Sequence, residues 1–328
     1  MKYDIITFGS GSRDIFLRAK QFSIGDFKPD LIKKEILLPF GYKINIENIH
    51  FYSGGGGTNT AATFVSQGFK TAYCGMIGDD PEGEEILREL KKKGIETKFI
   101  SRTKKKPTNL SVIFSNSKER TILVYKGASQ IFDKLQIPWS QINNTEWFYL
   151  ASFGKNSIKI FKAVIDFAEK NQIKIMANLG ISQLKLPIRD LHPLLKKIDI
   201  LLLNQEEGQI LVRNSTIKGK NLIKEIKKFF PGILIITNGN NEIFISDERF
   251  LYSVFPLKVK VLDKTGAGDA FGAGFLSGYI KSQGNIVKAI QLAIANSASC
   301  IKKWGAKEGI LKKNQKFKKV KVLKSEKS

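Results

Sequence analysis

Cysteine and histidine are nearly missing from this 328-residue chain, with two of each. Cys74 and Cys300, and likewise His50 and His192, stand isolated, so they offer neither a disulfide framework nor a zinc-type ligand spacing. Arginine is scarce as well. The net charge is +24, yet only eight of the 54 basic residues are Arg. Base-edge reading and bidentate phosphate recognition lean on the planar fork of Arg. The lysines are instead spread along helical stretches such as Lys155 to Lys170 and Asn221 to Phe230, where they read as solvated faces. No nucleic-acid partner is expected. A basic field of this size attracts small anions without a dedicated patch. No apolar run approaches the ~20 residues that span a bilayer, so no membrane partner is expected either. Met1-Lys2-Tyr3-Asp4 leads straight into a strand-like run with no apolar signal-peptide core, which sets the expectation of a reducing, cytoplasmic protein. The commoner phosphate loops are missing too. G-x-x-x-x-G-K-[ST] does not occur, and Gly266-x-Gly268 is followed by Phe271 where a dinucleotide loop needs a third glycine.

What is present is a rhythm of short apolar strands and helices. Ile5 to Gly9, Lys70 to Met76, Trp147 to Ala151, Ile173 to Ala177, Ile198 to Leu203 and Ile233 to Thr237 read as buried strands. A helix is predicted from Thr58 to Gly68, and another opens at Asp80-Pro81, a capping residue followed by proline. Strands alternating with helices predict an α/β fold, a doubly wound and mostly parallel sheet with helices on both faces. Two stretches break the rhythm. Phe16 to Tyr52 is long and mixed, and Leu110 to Lys126 reads as a hairpin turning near Asn116 and Lys118. The end of the chain, 312–328, is Lys-rich and is expected to be a frayed tail with little to bury.

One segment carries more chemistry than the rest. Asp263-Lys264-Thr265-Gly266-Ala267-Gly268-Asp269 leads into a small-residue helix. The N–H groups of Gly266, Ala267 and Gly268 sit at a helix start, where unpaired donors and the positive dipole end make an anion site. A carboxylate there would repel a phosphate unless it takes a proton from a hydroxyl that attacks the phosphate, which makes Asp269 the candidate general base. The same residues would also serve as a glycine turn with Asp269 as an ordinary cap. The segment resembles the C-terminal signature of the ribokinase-like (PfkB) family of carbohydrate and nucleoside kinases. Gly54-Gly55-Gly56-Gly57-Thr58-Asn59-Thr60-Ala61 resembles that family's N-terminal glycine motif, and Asn204-Gln205-Glu206-Glu207 its N-x-x-E element. Lys264 departs from the pattern, where the family usually has a small hydroxyl residue or proline.

The resemblance implies a single kinase domain over residues 1–311, with a small β-sheet lid drawn from about 16–52 and 108–127. It implies transfer of the ATP γ-phosphate to a hydroxyl of a sugar, with Mg²⁺ bridging the nucleotide phosphates. Asn204 and Glu207 would organise the metal and its waters. Thr237 and Gly239 would contact the nucleotide, and the helix around Asn296 would close its pocket. Asp14 would bind sugar hydroxyls, since a carboxylate can accept from both members of a vicinal diol. Gly55, Gly56 and Gly57 would let the backbone approach the same hydroxyls, with Asn59 at the helix start. Asp263 and the carbonyl of Gly305 resemble a K⁺ site found in part of the family. Gly56 stands where many relatives carry Lys, and Ser152 where some carry Glu, so the acceptor is not fixed as ribose. A nucleoside kinase and a catalytically silent sensing relative remain alternatives. An exposed lid edge offers pairing into a homodimer.

Overall fold

The computed structural model describes residues 2–18, 23–26, 34–37, 41–115, 120–152, 154 and 158–327. Its centre is a ten-stranded sheet. In chain order the strands of the whole molecule are β1 (Tyr3–Phe8), β2 (Ser12–Arg18), β3 (Ser23–Asp26), β4 (Lys34–Leu37), β5 (Asn48–Gly54), β6 (Thr71–Gly78), β7 (Ile100–Thr103) and β8 (Asn109–Ser115). They continue as β9 (Arg120–Tyr125), β10 (Thr145–Leu150), β11 (Lys174–Asn178), β12 (Ile200–Asn204), β13 (Ile233–Thr237), β14 (Ile243–Ser246), β15 (Phe250–Val254) and β16 (Leu323–Glu326). The central order is β16-β15-β14-β13-β12-β11-β10-β1-β6-β7. From β13 to β7 every pairing is parallel, and β14, β15 and β16 add an antiparallel margin.

The helices are α1 (Gly56–Ser66), α2 (Pro81–Lys92), α3 (Trp139–Ile142), α4 (Ile158–Lys170), α5 (Ile181–Leu184), α6 (Ile188–Leu195), α7 (Gln205–Val212), α8 (Gly219–Lys227), α9 (Ala267–Lys281) and α10 (Ile286–Cys300). They cover both faces of the sheet, which is why its strands are apolar throughout rather than alternating. Within β12, Leu201 and Leu203 pack with α4, α6, α7 and α8, while Ile200 and Leu202 face α1, α9 and α10. The small residues of α9 let it approach α10 closely. A Cβ on Gly278 would lie 2.8 Å from the Cα of Ala289, and one on Gly274 3.1 Å from that of Ala293.

A separate four-stranded sheet, β5-β2-β8-β9, forms the lid. The expected hairpin is β8 and β9, and the first lid strand starts at Ser12, earlier than the boundary near residue 16. Residues 19–22, 27–33 and 38–40 of the expected first lid segment, and the hairpin turn at Asn116 and Lys118, lie outside the described residues. The expected fraying of 312–328 is corrected. Leu323–Glu326 pairs with β15, Val320 and Val322 pack on the core, and the Gln291 amide exchanges two hydrogen bonds with the Val320 backbone at 2.7 and 2.9 Å. The Lys-rich composition hid an alternating apolar pattern, Val320-Lys321-Val322, that suits a half-buried edge.

Candidate active site

The C-terminal ends of the parallel strands, the start of α9 and the inner face of the lid meet at one cleft. Gly266 caps α9 with a left-handed φ of 76°. Only glycine fits there, since a Cβ would fall 2.3 Å from that of Ala306. This turn starts the helix abruptly and aims its first N–H groups outward. The Ala267 N–H makes one long turn bond to Lys264 O, at 3.3 Å, so it is less available than its two neighbours. A Cβ on Gly268 would meet nothing within 4 Å, so the space over the helix start is open.

Asp269 follows in the first turn of α9. Asn59, at the start of α1, donates from Nδ2 to Asp269 Oδ2 at 2.8 Å, which joins the two glycine motifs across the cleft. Asn59 itself is enclosed, and its Oδ1 has no hydrogen-bond partner. Burial pushes Asp269 above the ordinary carboxylate value; the Asn59 bond and the charge of Lys307 act in the opposite direction, and Asp14 reinforces the rise. Gly56 is a close-approach residue, because a Cβ there would lie 3.3 Å from Asp269 Oδ1 and 2.9 Å from the Ala151 Cβ.

Asp14 comes from β2 of the lid. In register, Tyr52, Asp14, Ser111 and Val124 form one row across the four strands. Ser12 Oγ donates to Asp14 Oδ1 at 2.8 Å. Burial raises the Asp14 pKa, while the Ser12 bond, Lys307 and Ser111 oppose the rise. Asp14, Ser111 and Val124 share with Asn59, Gly266 and Asp269 a cavity of about 340 Å³. A larger cavity, about 530 Å³, opens at the opposite end of the strands beside Trp147, Asp199 and Ile233. It has no glycine loop and no long helix start, so we place the chemistry in the smaller one.

Farther along the sheet, Asn204 and Thr237 are register partners at the ends of β12 and β13. Asn204 and Glu207 bond each other's backbone N–H groups at 2.8 Å, a reciprocal cap on α7. That cap uses Glu207 Oε2, and burial lifts the carboxyl above its usual range. Gly239 is left-handed and open. Asn296 is not brought to the cleft. Its side chain is fully enclosed, donating to Ala270 O at 2.7 Å and accepting from Leu311 N at 2.8 Å. Its helix is the one expected to close the nucleotide pocket, but the Asn296 side chain itself is a brace between α9, α10 and the segment that follows them. Asp263 and Gly305 do meet, but through the Gly305 N–H, which donates to Asp263 Oδ2 at 3.3 Å, and not through its carbonyl. Asp263 Oδ1 accepts from both N and Oγ1 of Thr265, so the carboxylate clasps two loops.

Sequence reasoning missed Ser111 and Asn109, which line the cleft, and Lys307, whose charge acts on Asp14 and Asp269. Ser111 became legible only through strand register, and a buried lysine has no sequence signal in a chain so rich in lysine.

The model of the pfkB family of carbohydrate kinases matches residues 18–313. Over 247 residues the chain is 27% identical to an uncharacterized sugar kinase of Archaeoglobus fulgidus, covering 74% of this chain and 96% of that protein. Over 306 residues it is 26% identical to a ribokinase of Lactococcus lactis, covering 92% and 96%. Arabidopsis thaliana ribokinase, solved with ribose and ATP, superposes with a TM-score of 0.75 at 20% identity over 95% of this chain and 96% of that one. The chain belongs to the pfkB family of carbohydrate kinases. It is an ATP-dependent carbohydrate kinase.

Proposed function

We propose that the enzyme transfers the γ-phosphate of ATP to a hydroxyl of a small sugar or sugar-like acceptor held between Asp14 and Asp269. The observation that carries this reading is the cross-cleft pair Asn59–Asp269. The Asn59 N–H engages Oδ2 and leaves Oδ1 to take the proton of the attacking hydroxyl. The enclosed, unpartnered Oδ1 of Asn59 is an acceptor that a substrate hydroxyl would satisfy. The raised pKa makes the ionised Asp269 carboxylate a stronger base than an exposed one. The N–H groups at Gly266 and Gly268 would neutralise charge gathering on the transferred phosphoryl group. Asp14, with Ser12 and Ser111 beside it, would grip hydroxyls remote from the reacting one.

Among the described residues no group of three or more His, Cys, Asp or Glu side chains is arranged to hold a metal by itself. Asn204 and Glu207 would help hold Mg²⁺ through the substrate phosphates and its own waters. When bound it neutralises phosphate charge. K⁺ has a weaker fit, since N–H and O–H groups already occupy both oxygens of Asp263. A homodimer through the lid is supported by its outer row Phe51, Ile15, Val112 and Leu123, whose Phe51 and Leu123 are half-exposed.

The test is an ADP-release screen with Mg-ATP over sugars and nucleosides. A sugar that raises ADP release well above the acceptor-free rate supports the proposal. A response confined to nucleosides would replace the acceptor class. Ligand-induced thermal stabilisation with no ADP release would point to a sensing protein.

A further inference from the structure

Lys307 is 3% exposed, and no element of the proposed chemistry uses it. Its Nζ donates to Ser53 O at 2.7 Å and to Ser53 Oγ at 2.6 Å. The nearest carboxylate oxygen paired with it belongs to Glu89, at 3.9 Å, and Glu89 also accepts from the Ser53 N–H at 3.3 Å. An ammonium in such a place costs more than an apolar side chain of the same length, so packing alone does not account for it.

Its position gives the account. Ser53 is the residue before Gly54, and Gly54 lies against the Asp14 carboxylate so tightly that a Cβ would clash with it. The turn that carries Lys307 touches both halves of the site. Trp304 stacks on His50 of the lid at 5.5 Å, Gly305 packs on the Tyr52 ring, and Ala306 fills the space beside Gly266. We propose that Lys307 is a positioning residue. From behind the glycine loop its ammonium clamps Ser53, and with it the seat of Asp14, to the turn that backs the phosphate loop. Its charge also favours the ionised forms of the two cleft carboxylates, Asp14 and Asp269. This role rests on the kinase reading above.

The charged groups around Lys307 come from three elements: Glu89 on α2 and Lys93 just past its end, Asp14 on β2 and Asp269 on α9. Burial lowers its pKa to about 8; Glu89, Asp14 and Asp269 pull the value up and Lys93 pushes it down. The ammonium is therefore mostly charged at neutral pH and is lost as pH rises through that value.

The test uses Lys307→Met, which removes donor and charge, and Lys307→Gln, which keeps a donor without charge. In ligand-free protein, hydrogen–deuterium exchange of the 54–57 amides should rise about tenfold or more in Lys307→Met, the scale of a lost charge-assisted hydrogen bond, with α10 unchanged. In kinetics, KM for the acceptor should rise about tenfold and KM for ATP by less than about twofold. The wild-type activity should fall above pH 8, and that alkaline fall should vanish in both variants. Unchanged exchange in Lys307→Met, or an alkaline fall that survives in both variants, overturns the assignment. If Lys307→Met fails to fold, Lys307→Gln carries the kinetic arm, and there a surviving fall is decisive. If the wild type phosphorylates no acceptor, the kinase reading falls by itself, and the exchange arm still decides the clamp.

Discussion

Gly54→Ala adds one methyl group at the point where the lid strand enters the glycine loop. The new carbon would sit 1.9 Å from Asp14 Oδ2 and 2.5 Å from its Cγ. Gly54 is not among the positive-φ residues, so the backbone tolerates alanine and the effect is purely a side-chain clash. Carbon and oxygen need roughly 3.2–3.4 Å, so Asp14 must retreat by more than 1 Å, a displacement that can cost about 10²-fold in rate. The carboxylate cannot move without losing its 2.8 Å bond from Ser12. Overpacking of this sort costs about 1–3 kcal/mol, enough to lower Tm by a few degrees without unfolding the chain. The assay is steady-state kinetics with each substrate varied in turn, once the screen has supplied an acceptor. We expect kcat/KM for the acceptor to fall about 10²-fold and KM for ATP to stay within about twofold. An acceptor kcat/KM within threefold of wild type, with Tm lowered as expected, would show that Asp14 does not hold the substrate.

Three further outcomes are expected. Gly268→Ala meets no protein atom and replaces glycine in a helix, so Tm should hold or rise, while KM for ATP rises about tenfold because the methyl enters the space assigned to phosphate; an unchanged KM would move the phosphate elsewhere. Asp269→Asn should lower kcat by about 10²–10⁴. Wild-type kcat should fall in acid through a pKa above the normal carboxylate value, because only the ionised form accepts a proton, and this limb should vanish in the variant. The raised pKa means that ionising Asp269 costs stability at neutral pH, so the variant should not melt earlier; an acid limb that persists in it belongs to another group. Deleting 318–328 should lower Tm by several degrees, since Val320, Val322 and β16 leave the core edge, and an unchanged melt would show that the strand does not dock in solution.

The fold was legible where local pattern and global packing agree. The apolar runs that became β1, β6 and β10 through β13 sit in strands buried on both faces, so hydrophobicity alone located them. Asp80 caps α2 as its sequence position implied, accepting from Gly83 N at 2.8 Å. The lining of the candidate cleft was legible where chemistry and glycine geometry coincide, since Asp269, Asp14, Gly55 and Gly56 do meet there. It was illegible where a role depends on distant partners. Asn296 has the composition of a contact residue, yet both ends of its amide are spent on backbone groups brought together by folding. Lys307 looks like any other lysine until α2, β5 and the turn after α10 close around it. The tail was misread because charge was weighed above alternation.

The antiparallel margin of the sheet carries a consequence for how the molecule is assembled. β15 finds its outer neighbour only when Leu323–Glu326 arrives, after α9 and α10 have been made. Until then the row Phe250–Val254 presents unpaired backbone groups beside apolar side chains, an invitation to strands of other chains. Synthesis that stalls, or a protease that trims the segment, would leave a molecule with its cleft complete but its flank open. Such a fragment would still carry Asp14, Asn59 and Asp269, and its failure would show as clumping at high concentration before it showed as lost turnover.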